Sequence, residues 1–217
     1  MTIAEKITRA KADYDEVYAA GKQAAYDAFW DDFQENGKRV DYVNAFSYNN
    51  WRGDCYNPKY PIIGGGAYGV QECFRNNAYI TDTKVPIIIR KDNLKTVFHQ
   101  CFSLKRVPSF VLEVPVTQYN LTFNQCYALE ELNIECVGDG CIAGDGLTFT
   151  DCTKLNKASI TSVINALSTT TTGLTVTLSK TAVNNAFATA EGAADGSTSV
   201  EWLALVATRS NWTIALA

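Results

Sequence analysis

The sequence predicts an α/β solenoid, in which a short stack of repeats lies between an N-terminal helix and an α/β C-terminal cap. Three observations predict this fold class. One ten-residue pattern recurs three times in the middle of the chain, an apolar seam at heptad spacing runs through residues 2–34, and residues 158–217 switch between helical and strand periodicity.

The central repeat has the form Phe-x-x-Cys-x-x-Leu. It occurs as FHQCFSLKRV, FNQCYALEEL and FTDCTKLNKA, which begin at Phe98, Phe123 and Phe149, so the periods are 25 and 26 residues. This period falls in the leucine-rich-repeat range of about 20–29 residues. Each unit offers only a short strand and a return loop, so neighbouring units must stack to bury their apolar sides. The positions expected to form internal ladders are Phe98, Cys101, Leu104, Phe123, Cys126, Leu129, Phe149, Cys152 and Leu155.

The spacing predicts strands at 105–112 and 130–135, with an earlier one near 85–89. A fainter copy, VQECFRN at 70–76, places Cys73 in the cysteine position. Cysteine suits an internal ladder because it is small, apolar and readily buried.

The repeat resembles the BspA-type leucine-rich repeat family, whose units carry the same Phe-x-x-Cys-x-x-Leu core, and the resemblance covers residues 70–160. The C-terminal segment from SITSVINALS to NWTIAL, together with the N-terminal segment AEKITRAKADYDEVY, is similar to repeat proteins encoded in phages and prophages of gut Firmicutes. This second resemblance implies a virion or tail-associated protein that binds other virion proteins or a component of the host surface.

The C-terminal region, 158–217, predicts a cap that shields the last layer of the solenoid. Thr198 and Glu201 have the spacing of a capping box before a helix. A strand, helices and a second strand would form a crossover unit that continues the sheet in parallel. The predicted elements are a helix at 159–168, a strand at 173–179, a helix that begins after Ser179 and a strand at 211–216.

The N-terminal region, 1–37, predicts a helix whose apolar residues alternate steps of four and three. The seam would mediate self-association or docking onto a larger assembly. The alternative is a helix that packs on the first repeat. The seam residues are Ile3, Ile7, Ala10, Tyr14 and Val17.

The connector, 38–69, is rich in Tyr, Asn and Trp, which are common in recognition surfaces and equally common in irregular loops with a small core of their own. The repeats then occupy 70–157. The candidate binding residues in the connector are Tyr48, Trp51, Tyr56 and Tyr60.

The sequence gives little support for a catalytic site or a metal site. A Cys/His nucleophilic pair would join His99 to Cys101, but the other copies carry no histidine at the matching position. Cys136 and Cys141 lack a second cysteine pair for zinc, although an oxidant could link them in a disulfide. The glycine-rich run GDGCIAGDG, at 138–146, is more typical of turns than of calcium sites. We therefore expect no catalytic residue, no metal and no cofactor.

Charge and hydropathy exclude further classes. The formal net charge is −4, and residues 1–37 hold eight Asp/Glu against four Lys/Arg, so nucleic-acid binding through a basic surface is not expected. No apolar run is long enough to predict membrane insertion, and no signal peptide is recognisable, so we expect synthesis in a cytoplasm. The resemblance to phage-encoded repeat proteins implies that this is a bacterial cytoplasm and that the final location is the virion. The alternatives are a bacterial cell-surface adhesin exported by another route and, third, a cysteine-dependent enzyme.

Overall fold

The computed structural model describes residues 61–188 and 195–217, and within them the chain winds as a solenoid of parallel strands with about five turns. Each of the first turns contributes one short strand, and consecutive strands are neighbours in the sheet. The solenoid predicted from the repeat is therefore confirmed. The strands of this first sheet are β1 (Ile62–Gly64), β2 (Ile87–Ile89), β3 (Arg106–Leu112) and β4 (Glu131–Cys136).

The register of this sheet aligns one buried residue from each turn. Successive partners are about one repeat apart in the chain, so the rows run along the axis of the solenoid. Since alternate residues of a strand point to opposite faces, the residues of one row share a face of the sheet. The main internal row consists of Ile62, Ile87, Phe110 and Ile134.

The return side of the solenoid is also hydrogen-bonded between turns. The amide of Phe74 donates to the carbonyl of Val97 at 2.9 Å, and the amide of Phe98 donates to that of Thr122 at 3.0 Å. The same backbone conformation recurs in three successive turns, because two positions four residues apart adopt φ between 53° and 61°. These pairs are Glu72 with Asn76, Thr96 with Gln100, and Leu121 with Gln125.

A helix replaces the strand after the third copy of the repeat. Helix α1 (Lys157–Ala166) begins at the N-cap Asn156, and it lies beside the edge of β4. The hydroxyl of Ser159 accepts a hydrogen bond from the amide of Leu132 at 2.8 Å, and the hydroxyl of Ser162 accepts one from the amide of Ile134 at 2.7 Å. The open edge of the first sheet is thus satisfied by serine side chains instead of another strand.

A second parallel sheet forms on another side of the coil, in the order β5-β6-β7. We expected the cap strands to continue the first sheet, and this expectation is wrong. The first strand after α1 pairs with β5, where Leu178 lies opposite Phe149, because α1 already covers the edge of β4. The elements are β5 (Leu147–Phe149), β6 (Leu174–Leu178), α2 (Lys180–Phe187), a 3₁₀ turn (Gly196–Thr198), α3 (Val200–Ala207) and β7 (Trp212–Leu216).

Serine side chains begin the last two helices. Ser179 is the N-cap of α2, as the sequence predicts, and its hydroxyl accepts a hydrogen bond from the amide of Ala182 at 3.4 Å. The predicted capping box at Thr198 is wrong by one residue, because Ser199 is the N-cap of α3 and Thr198 closes the 3₁₀ turn. Glu201 instead forms an ion pair with Lys157 at 2.5 Å.

The predicted N-terminal helix and the connector as far as residue 60 lie outside the described residues. The final part of the connector contains β1, which is the first strand of the sheet. In the described ranges, 61–188 and 195–217, no helix is long and apolar enough to cross a membrane.

Candidate functional site

The phenylalanines of the repeat stack along the centre of the solenoid. The ring centroids of Phe98 and Phe123 are 5.5 Å apart, and those of Phe123 and Phe149 are 4.7 Å apart. The ring of Phe110 packs edge-on against both Phe98 and Phe123. All nine ladder residues are buried, so this part of the chain is a packed interior and not a binding surface.

Each cysteine of the ladder donates its thiol to a phenylalanine carbonyl one turn earlier. Cys126 Sγ lies 3.1 Å from the carbonyl oxygen of Phe98, and Cys152 Sγ lies 3.6 Å from that of Phe123. Burial raises the pKa of the Cys126 thiol to about 12. A buried thiol that stays protonated at neutral pH is a poor nucleophile.

His99 does not activate Cys101. The Cys101 thiol donates to the carbonyl of Phe74 at 3.0 Å, and the imidazole of His99 bonds to the side chain of Asn124. Partial burial, followed by the charge of Arg75, lowers the pKa of His99. These contacts give the two side chains separate structural partners.

The first copy of the repeat is shifted by four residues from its predicted register. Phe74, not Val70, stacks on Phe98, with centroids 5.5 Å apart. The cysteine position is then occupied by Asn77, which is fully buried. Its side-chain oxygen accepts a hydrogen bond from the amide of Ile80 at 3.2 Å. Placing Cys73 in the ladder was therefore wrong, although Cys73 is itself buried.

The outward face of the first sheet carries a row of charged side chains across three turns. Arg106, at the start of β3, lies between two carboxylates, 2.8 Å from Glu131 and 3.9 Å from Asp82. The register of β3 and β4 shifts between Val107 and Phe110, where Pro108 offers no amide to a ladder. The shift leaves Pro108 exposed on the same face.

An exposed aromatic pair lies at the corner where each return turn leads into its strand. The rings of Phe102 and Tyr127 are 6.0 Å apart and nearly parallel, at 8°. Phe102 is 42% exposed and Tyr127 is 47% exposed, so the two stacked rings form a small apolar patch on the surface. In both turns the aromatic residue precedes the charged residue of the strand by four positions: Phe102 precedes Arg106, and Tyr127 precedes Glu131.

We define the corner surface as Phe102, Tyr127, Arg106 and Glu131. A shallow depression of about 250 Å³ adjoins it where β4 meets α1, and its lining includes Glu131, Asn133 and Pro108. The repeat alignment places an aromatic residue after the cysteine in two copies, FHQCF and FNQCY. That pattern marks the aromatic pair in the sequence, whereas the binding residues predicted above lie in the connector.

The glycine-rich run after β4 forms hydrogen-bonded turns. Asp145 accepts the amide of Thr175 at 2.7 Å, and Asp139 accepts the hydroxyl of Thr169. The two carboxylates thus join successive turns of the solenoid. Across 61–188 and 195–217, no cluster of three or more His, Cys, Asp or Glu side chains could hold a metal ion.

The structure brings together none of the connector or seam candidates, because they lie outside the described residues: Ile3, Ile7, Ala10, Tyr14, Val17, Tyr48, Trp51, Tyr56 and Tyr60. No protein-family model, curated protein or solved structure matches the chain.

Proposed function

We propose that the chain is a non-enzymatic, protein-binding solenoid and that the corner surface contacts its partner. The observation that carries this proposal is the exposed, parallel pair of Phe102 and Tyr127. Aromatic side chains supply large contact areas at low entropic cost, and they dominate the energetics of many interfaces.

The charged row supplies the polar part of the same surface. Arg106 and Glu131 are about half exposed, so their ion pair contributes little to folding and is available to reorganise around a partner. An apolar centre with a charged rim is the common anatomy of protein interfaces. The depression beside α1 adds a concave site next to this rim.

The repeat motif supports a finer proposal, that the solenoid is a leucine-rich repeat of the BspA type. The resemblance to phage-encoded repeat proteins supports a virion or tail-associated location, with another virion protein or a host-surface component as partner. An exported bacterial adhesin is the second candidate, supported by the BspA-type motif alone.

The location is tested by mass spectrometry of particles purified from lysed cultures of the native host strain. In a virion protein, the peptides of this chain co-purify with the major capsid and tail proteins at a fixed ratio through a density gradient. Peptides released by protease shaving of intact cells, with none in the particles, would favour the adhesin.

The binding surface is tested with the variant Phe102→Ala/Tyr127→Ala and the control Val200→Ala/Leu203→Ala, which removes exposed apolar side chains from α3. The labelled chain is titrated onto whichever particle or cell carries it. Loss of two central aromatic contacts should weaken binding by ~30-fold or more, with no change for the control. Equal affinity of both variants would contradict the corner surface, and a turnover abolished by Cys101→Ser with the fold intact would favour the cysteine-dependent enzyme.

A further inference from the structure

The cysteines at the end of β4 differ from those of the internal ladder. Among the six cysteines in the described part of the chain, Cys136 is the only one that is not buried. Its sulfur accepts the amide of Cys141 at 3.1 Å, which places the start of the second cysteine residue against the sulfur of the first. Between them runs the turn Val137–Gly140, in which Val137 is 65% exposed.

Oxidation of both thiols would leave no buried carbonyl without a hydrogen-bond donor. Cys141 Sγ donates to the carbonyl of Leu112 at 3.2 Å, but that oxygen also accepts the amide of Val137 at 3.0 Å. Cys136 Sγ lies 3.8 Å from the carbonyl of Ala166, which also accepts the amide of Ile142 at 2.8 Å. Removing either S–H therefore avoids the cost of an orphaned buried acceptor.

The surrounding backbone allows the turn to adjust while its ends stay fixed. Gly138 adopts a positive φ of 109° with open space around it, so this residue can change conformation freely. On the far side, Ile142 is bridged to both Val116 and Leu167, which anchors the residue next to Cys141. With the Cys136 sulfur already 3.1 Å from the backbone nitrogen of Cys141, a small adjustment at Gly138 is enough to let a short disulfide loop close.

We propose that Cys136 and Cys141 are a dithiol modification site that forms a reversible disulfide with small-molecule disulfides such as oxidised glutathione. The Cys136 thiolate attacks one sulfur of the glutathione disulfide, its proton passes to water, and the first glutathione thiolate leaves. The Cys141 thiolate then attacks Cys136 Sγ in the mixed disulfide and expels the second glutathione. In total the two protein thiols lose two protons and two electrons; both protons pass through water to the released glutathione thiolates, so one oxidised glutathione becomes two reduced molecules.

The order of the two steps follows from burial. Cys136 reacts first because it is the accessible sulfur. Burial, and then the neighbouring Cys136, raise the pKa of the Cys141 thiol to about 12, so the second step is the slower one and accelerates as pH rises. The proposal concerns these two residues alone and does not depend on the corner surface.

The test uses the full chain with Cys55→Ser, which removes the one cysteine outside the described residues. After exposure to oxidised glutathione between pH 7 and 9, free thiols are alkylated in denaturant and the chain is cut after Glu and before Asp. Cleavage after Glu135 and before Asp139 and Asp145 isolates CVG and DGCIAG, which should appear joined by one disulfide. Reduced glutathione should separate them.

Two variants make the result decisive. Cys136→Ser should abolish glutathione consumption by the folded chain, whereas Cys141→Ser should accumulate a stable glutathione adduct on Cys136. Circular dichroism confirms that both variants are folded. The proposal is overturned if the unsubstituted pair ends as a mixed disulfide, if oxidised glutathione leaves both thiols free, or if the cysteines that oxidise are those of the internal ladder.

Discussion

Ser159→Ala removes the hydroxyl that closes the edge of the first sheet. Ser159 is 3% exposed, and besides accepting the Leu132 amide its hydroxyl lies 3.1 Å from the carbonyl of Glu130 and 3.0 Å from Asn156 Oδ1. Glu130 keeps a partner after the substitution, because its carbonyl also accepts the amide of Asn156 at 3.0 Å. The group left without a partner is the buried amide of Leu132.

The magnitude follows from that single amide. An unsatisfied buried donor costs about 1–3 kcal/mol, and alanine returns about 0.5 kcal/mol through its higher helix propensity. We therefore expect Ser159→Ala to lower the free energy of unfolding by about 0.5–2.5 kcal/mol. Ser162→Ala should cost less, since Ser162 is only half-buried and its hydrogen bond with the Ile134 amide is partly exposed to solvent.

The assay is urea unfolding followed by circular dichroism, with amide hydrogen exchange to locate the effect. Thr161→Ala is the matched control, because it also changes a hydroxyl residue of α1 to alanine but lies between the two bonded serines. Exchange should accelerate at Leu132 in the variant and stay unchanged in the control. If Ser159→Ala and Thr161→Ala have the same stability and the same exchange at Leu132, the hydrogen bond between Ser159 and the edge of β4 has no energetic role.

The remaining predictions concern the ladder and the charged row. Phe123→Ala should lower the free energy of unfolding by about 3–5 kcal/mol in urea titrations, because it empties the centre of the aromatic stack, whereas Tyr127→Ala should cost under ~1 kcal/mol. Stability should fall as pH rises from about 9 towards 12, because the ladder thiols ionise in the unfolded chain while burial raises the pKa of Cys126 to about 12 in the folded one. The free energy of unfolding should fall by about 1.4 kcal/mol per pH unit for each such thiol, and Cys126→Ala should reduce this slope by the contribution of one thiol. An unchanged slope in Cys126→Ala would contradict the conclusion that the buried Cys126 thiol stays protonated in the folded chain. Arg106→Ala should change the free energy of unfolding by under ~1 kcal/mol, because Arg106 and Glu131 are about half exposed. A larger loss would mean that the row of charged side chains stabilises the fold.

Much of the solenoid could be predicted from its period. Identical residues at Phe98, Phe123 and Phe149 gave the register of the turns, and the strands β3 and β4 lie within one residue of their predicted bounds. The first copy could not be aligned in the same way, because Asn77 replaces cysteine and the nearby Cys73 offers a false match. Only the stacking of Phe74 on Phe98 identifies the correct position.

The candidate surface was harder to predict than the core. A buried position is constrained by every neighbour it contacts, so its residue type repeats and leaves a signal in a single sequence. Phe102 and Tyr127 are nearly half exposed, so fewer neighbours constrain them, and their alignment carries meaning only once the turns are known to stack.

The amino-acid sequence by itself determined that this chain stacks repeats and that Phe98, Phe123 and Phe149, each with the cysteine three residues later, fill the interior, because burial at a fixed period selects apolar side chains of similar size. Tertiary structure alone decided that the first sheet ends at β4. Ser159 and Ser162 belong to a helix predicted from its apolar face, and their hydroxyls acquire a role only when that helix lies against the strand edge. Hydrogen bonds between distant segments depend on distance and direction in space, which local periodicity does not encode.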